Sequence, residues 1–123
     1  MPSAGQHILV IDDEDAIVSI VAAYLREYRV SACIDVEDAL DIVAREALDL
    51  LIVDYVMPKM SGDELVRRAR EIRPVLPVLV ITGYAAAVQT IGLQKVRILE
   101  KPFSRAELLE AIALAQAQEA DVS

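Results

Sequence analysis

The stretch Leu50-Leu51-Ile52-Val53-Asp54 constrains this chain more than any other. Four consecutive apolar residues without polar alternation fit a strand buried on both faces, as in a parallel sheet covered by helices on each side. The run stops on an acid, and Pro58 with Ser61-Gly62 turns the chain away. Asp54 is thereby placed at the carboxyl end of a central strand, where open α/β sheets hold their ligands.

Strand and helix patterns alternate around it five times. Residues 7–11 form a short apolar strand that runs into Asp12-Asp13-Glu14-Asp15. A helix follows with Ile17, Ile20, Val21, Tyr24, Leu25 and Tyr28 on one face. Residues 30–34 read as the second strand, and Asp35 caps a helix over 36–46 that carries Ala39, Leu40, Ile42 and Val43 inward. The third strand is 49–54 and the third helix 63–72. Pro74 and Pro77 bracket the turn into a fourth strand, 78–81, which ends at Thr82. Residues 83–92 make a weak helix between glycines. The fifth strand, 96–100, leads into Lys101-Pro102-Phe103, and Ser104-x-x-Glu107 is a capping box opening the last helix. Residues 119–123 are expected to fray.

This alternation predicts an α/β fold, a (βα)5 flavodoxin-like, doubly wound parallel sheet of strand order 2-1-3-4-5. The expected organisation is one domain over residues 1–123, with its core at about 7–118. A 55% hydrophobic composition excludes a disordered chain. Acids, prolines and arginines interrupt every apolar run before it reaches membrane-spanning length. Residues 1–6 show neither a charged nor an apolar signal region, and Cys33 has no second cysteine to pair with. A cytoplasmic protein with no membrane partner is expected. Cys33 itself reads as a buried, inert thiol. The net charge of −8 argues against direct nucleic-acid binding. Arg67, Arg68, Arg70 and Arg73 read as one solvated helix face salt-bridged with Glu64 and Glu71.

The predicted strand order brings Asp12 and Asp13 beside Asp54, with Thr82 and Lys101 at the same rim. Each of these has a bland reading as a cap, a turn or a surface charge; their joint placement points to chemistry. Two unit charges 4 Å apart interact by about 4 kcal/mol at an effective dielectric of 20, so three clustered carboxylates must take up a proton or bind a cation. An all-oxygen set suits Mg²⁺. His7, the one histidine, lies at the opposite end of its strand and reads as structural. Phosphoryl transfer needs in-line positioning and neutralised equatorial oxygens, so Asp54 would attack while Lys101 and the Thr82 hydroxyl hold phosphoryl oxygens.

Asp12-Asp13, Asp54 with Met57-Pro58 and Gly62, Thr82-Gly83 and Lys101-Pro102-Phe103 together resemble the signature of receiver domains of bacterial two-component response regulators. The resemblance covers essentially the whole chain, and it is somewhat greater to receivers of hybrid sensor kinases than to those fused to DNA-binding domains. It implies phosphotransfer from a phosphohistidine on a sensor histidine kinase or histidine phosphotransfer protein. It also implies Mg²⁺ held by Asp13, Asp54 and the main-chain carbonyl of Val56, with Asp12 acting through water, and a cis Lys101-Pro102 bond. The expected output is a changed surface around residues 83–92, the fifth strand and the last helix, from a phosphoacceptor that assists its own phosphorylation and dephosphorylation without being an enzyme.

The chain departs from the family in one place. Many receivers carry Tyr or Phe three residues before the lysine, where this chain has Ile98. Tyr84 is a candidate substitute, set against a tyrosine that simply packs over the site. Val56 and Tyr84 flank the path of a hydrolytic water without a carboxylate or amide to orient it. Slow self-dephosphorylation is therefore expected, and phosphate release within seconds of loading from a small phosphodonor would refute it. A Mg-dependent aspartyl-phosphate phosphohydrolase is the first rival, but the chain lacks that class's paired-acid nucleophile motif and a cap domain. A flavin carrier would need a phosphate loop where Asp12-Asp13-Glu14-Asp15 stands. A degenerate receiver used only for docking is opposed by the intact Asp54 and Lys101. The expected state is a monomer or weak dimer, with Leu109, Ala113 and Leu114 as the apolar positions on which pairing would rest.

Overall fold

The computed structural model describes residues 6–12, 14–55, 62–83 and 96–120. Five strands, β1 (His7–Ile11), β2 (Arg29–Cys33), β3 (Leu50–Asp54), β4 (Val78–Thr82) and β5 (Val96–Glu100), alternate with helices α1 (Asp15–Tyr24), α2 (Val36–Arg45), α3 (Gly62–Ile72) and α4 (Arg105–Ala120). Apart from Gly83, the weak helix expected at 83–92 lies outside the described residues. The strands form one sheet in the order β2-β1-β3-β4-β5, every pair parallel. This is the doubly wound, flavodoxin-like arrangement expected from the sequence.

The continuous apolar runs are explained by cores on both faces of the sheet. Leu9, Ile11, Leu51, Val53, Val78 and Val80 point to one side, against Val36, Ala39 and Val43 of α2 and Leu65, Val66 and Ala69 of α3. Ile8, Val10, Leu50, Ile52, Leu79 and Ile81 point to the other, against Val21, Leu25, Leu108 and Ile112. Alternate residues of one strand thus feed different cores. Burying each such Val, Leu or Ile side chain contributes about 1.5–3 kcal/mol.

Local signals set the starts of α2 and α4. The Asp35 carboxylate accepts the Glu37 amide at 2.8 Å. The Ser104–Glu107 box closes in both directions, the Ser104 amide donating to Glu107 Oε1 at 2.9 Å and the Glu107 amide to Ser104 Oγ at 3.1 Å. Helix α1 stops at Tyr24, short of the apolar face read as far as Tyr28. Leu25 caps it and remains fully buried, and the Tyr28 amide closes a turn onto the Leu25 carbonyl at 2.8 Å. The apolar period continues through that turn because the chain still runs along the same core. Cys33 is half-buried on edge strand β2, and burial followed by Asp38 and Asp35 pushes its thiol up, as fits an inert residue.

The amino end of the sheet is sealed by polar contacts. His7 is buried there, with Nε2 2.7 Å from Ser31 Oγ, Nδ1 3.3 Å from the Ala47 carbonyl, and its amide donating to Asp49 Oδ2 at 2.8 Å. Arg73 leaves the expected solvated face and donates to the Val43 and Glu46 carbonyls at 2.8 and 2.6 Å, satisfying the free end of α2. Arg70 similarly donates to the Leu76 carbonyl, while Arg67 and Arg68 pair with Glu64 as expected. Leu109 packs on the second core, whereas Leu114 of the same helix is exposed. Among the described residues no helix is long and apolar enough to cross a membrane.

Candidate functional site

The register carries the acids to one crevice. Ile11 pairs with Val53, so Asp12 follows β1 at the level where Asp54 ends β3. Asp54 pairs with Ile81, and Thr82 lies one residue further along β4. The Lys101 amide donates to the Thr82 carbonyl at 2.7 Å, fixing the start of the loop after β5. The Lys101-Pro102 bond is cis, as the family resemblance implied.

Asp12 and Asp54 are buried, with 0% and 6% of their surface exposed, and Thr82 is buried beside them. Asp12 Oδ1 accepts the Glu14 amide at 2.9 Å. Its Oδ2 is buried and accepts no hydrogen bond among the described residues. Lys101 Nζ reaches over from the far side of the sheet, 3.5 Å from Asp12 Oδ2, 3.5 Å from Asp54 Oδ1 and 3.3 Å from Glu14 Oε1. Oxygens of Asp12, Glu14 and Asp54 lie within 4.8 Å of one another.

Electrostatics follow from this crowding. Burial raises the Asp12 carboxyl to about 6; the Glu14 amide opposes the rise, Asp54 adds to it, Lys101 opposes it and Glu14 adds to it. For Lys101, burial favours the neutral amine, but Asp12, Asp54 and Glu14 together outweigh it and the net direction is upward. The lysine therefore stays charged at neutral pH. A hard, all-oxygen donor set with one buried carboxylate oxygen that accepts no hydrogen bond among the described residues fits Mg²⁺, which takes oxygen ligands and keeps part of its water.

Of the residues singled out from the sequence, Asp12, Asp54, Thr82 and Lys101 converge at this rim. Asp13, Val56, Tyr84 and Met57-Pro58 lie outside the described residues. Ile98, at the place of the expected aromatic, is half-buried on β5 and packs against the first core. Glu14 was missed as a site residue, since the sequence offered only its membership of an acidic run.

Residues 8–113 match the profile of the response regulator receiver domain. The chain belongs to the response regulator receiver family. It is 35% identical over 109 residues to the response regulator receiver protein CpdR of Brucella abortus (strain 2308), covering 85% of this chain and 91% of that protein. The crystal structure of a response regulator receiver protein from Sinorhizobium medicae WSM419 superposes with a TM-score of 0.81 at 30% identity, over 93% of this chain and 97% of that one. The receiver domain of the hybrid histidine kinase CckA superposes with a TM-score of 0.77 at 34% identity, over 89% of this chain and 98% of that one. The likeness to a hybrid-kinase receiver read from the sequence is thus matched in structure. Against other curated relatives this receiver spans about half their length. Receivers act in bacterial two-component signalling with histidine kinases or phosphotransfer proteins, and generally bind Mg²⁺ at an acidic pocket.

Proposed function

We propose that this receiver takes a phosphoryl group from the phosphohistidine of a sensor histidine kinase or histidine phosphotransfer protein onto Asp54. An Asp54 carboxylate oxygen forms the new P–O bond while the P–N bond to imidazole breaks, and the imidazole leaves with the bonding pair and takes up a proton. Asp12, Asp13, Asp54 and the Val56 carbonyl are the proposed ligands of Mg²⁺. Bound there, the ion supplies neutralisation of phosphoryl oxygen charge. Lys101 is proposed to pair with a second phosphoryl oxygen, and the Thr82 hydroxyl to donate to a third.

The observation that carries this reading is the convergence of a buried Asp54, a buried Asp12 and a charged Lys101 at the carboxyl edge of the sheet. The reading makes the protein a stoichiometric acceptor that assists its own phosphorylation and dephosphorylation. Its signal would be an altered surface around residues 83–92, β5 and α4, since a local phosphate reaches a partner only through a segment with two arrangements.

Treatment with acetyl phosphate and Mg²⁺, followed by intact-mass and peptide mass spectrometry, tests the assignment. One added HPO₃ on the peptide containing Asp54 is expected, removed by hydroxylamine as an acyl phosphate would be. An unmodified protein, or a group located on another residue, would refute it.

A further inference from the structure

We propose that Glu14 is a positioning residue for Lys101, holding its ammonium at the mouth of the crevice so that the buried Oδ2 of Asp12 stays accessible to a divalent ion. The inference rests on the Mg²⁺-dependent reading above and concerns a residue that reading does not use.

Glu14 occupies the N-cap of α1 in extended geometry, φ −102° and ψ 109°, yet its side chain caps nothing. Its carboxylate instead reaches Lys101, 87 positions away in sequence, in a hydrogen bond of 3.3 Å. Charge-assisted N–H···O bonds normally close to about 2.7–2.9 Å. Lys101 Nζ stays 3.5 Å from Asp12 Oδ2, a fully buried oxygen that accepts no hydrogen bond among the described residues. An ammonium beside such an oxygen would settle onto it unless something drew it outward. Glu14 is placed to do so, because its carboxylate is largely exposed while that of Asp12 is wholly buried.

The arrangement is self-consistent along the chain. Asp12 Oδ1 fixes the Glu14 amide at 2.9 Å, so the carboxylate whose second oxygen is kept open also anchors the residue that keeps it open. Once an ion claims Asp12 and Asp54, the displaced ammonium already has an anionic partner outside the ligand set. Without Glu14, lysine and metal would compete for the same two carboxylates.

A double-mutant cycle on Mg²⁺ affinity tests this, read by calorimetry on the unphosphorylated protein. Glu14→Gln is expected to raise the Mg²⁺ dissociation constant roughly five- to tenfold, whereas in a Lys101→Met background the same change should alter it by no more than about twofold. An equal loss in both backgrounds would overturn the proposal, because Glu14 would then act by its own charge or as a ligand. No loss in either background, or tighter binding by Glu14→Gln, would also overturn it. Should the Lys101→Met protein fail to fold without metal, the Lys101 ε-methylene NMR resonance decides. It is expected to move in metal-free Glu14→Gln, and an unmoved resonance overturns the proposal. A parent protein that binds no Mg²⁺ at all would overturn the phosphoacceptor reading as well, which separates the two failures.

Discussion

Lys101→Met is expected to slow phosphoryl uptake from acetyl phosphate by roughly a hundredfold at saturating Mg²⁺, the scale set by removing one preorganised group that meets developing charge. The metal-free ammonium lies in the acid crevice, 3.3–3.5 Å from three carboxylates, and the upward direction of its titration keeps it charged at neutral pH. It therefore stays within reach of phosphoryl oxygens arriving at Asp54. Methionine preserves much of the side-chain volume and removes the charge. Lys101→Arg should retain more of the rate than Lys101→Met, since charge is kept while the compact point-charge geometry is lost. Stopped single-turnover assays on intact mass would follow the modification directly. A Lys101→Met rate equal to that of the parent would show that the lysine serves only to offset the buried acids.

Strand order and the polar rim were legible because both derive from local, repeated signals. The runs Leu50–Asp54 and Val78–Thr82 are apolar at every position up to a polar terminus, and a five-unit βα alternation admits few topologies. Asp12, Asp54, Thr82 and Lys101 could then be placed by strand position alone. Contacts made by long side chains across the sheet were not legible. Glu14 and Lys101 meet although β1 and β5 are not neighbours, and only side-chain reach brings them together. Arg73 shows the same limit. Its place in an Arg-rich helix suggested salt bridges, yet the carbonyls at the end of α2 claim it, a demand that exists only once α2 and α3 are packed. Helix α1 was read too long because core-facing periodicity does not distinguish a last helical turn from a turn lying on the same core.

In the absence of divalent ions, Asp12→Asn is expected to be more stable than the parent at pH 7, by an amount that shrinks as pH falls. Burial, the largest influence on Asp12, raises its folded carboxyl from 3.8 to about 6. Between those values the native protein holds a proton that the unfolded chain has lost, so stability falls as pH rises through this window. Above pH 6 the native state carries the full cost of the ionised group, at most about 3 kcal/mol for a rise of this size. Below pH 3.8 both states are protonated and the cost disappears. Asparagine has no such proton, so the stability difference between variant and parent should grow across pH 4–6 and level off above it. Surface pairs such as Arg45–Asp41 are present in both proteins and cancel in the difference. Urea unfolding in chelator from pH 4 to 8 measures it, and a difference that stays flat would show that the buried carboxyl is no harder to ionise than in the unfolded chain. Mg²⁺ at a hundred times its dissociation constant should return about 2.7 kcal/mol to the parent and far less to Asp12→Asn. The instability that ionised Asp12 imposes on the metal-free fold is, on this reading, the same free energy that draws a divalent cation to the crevice.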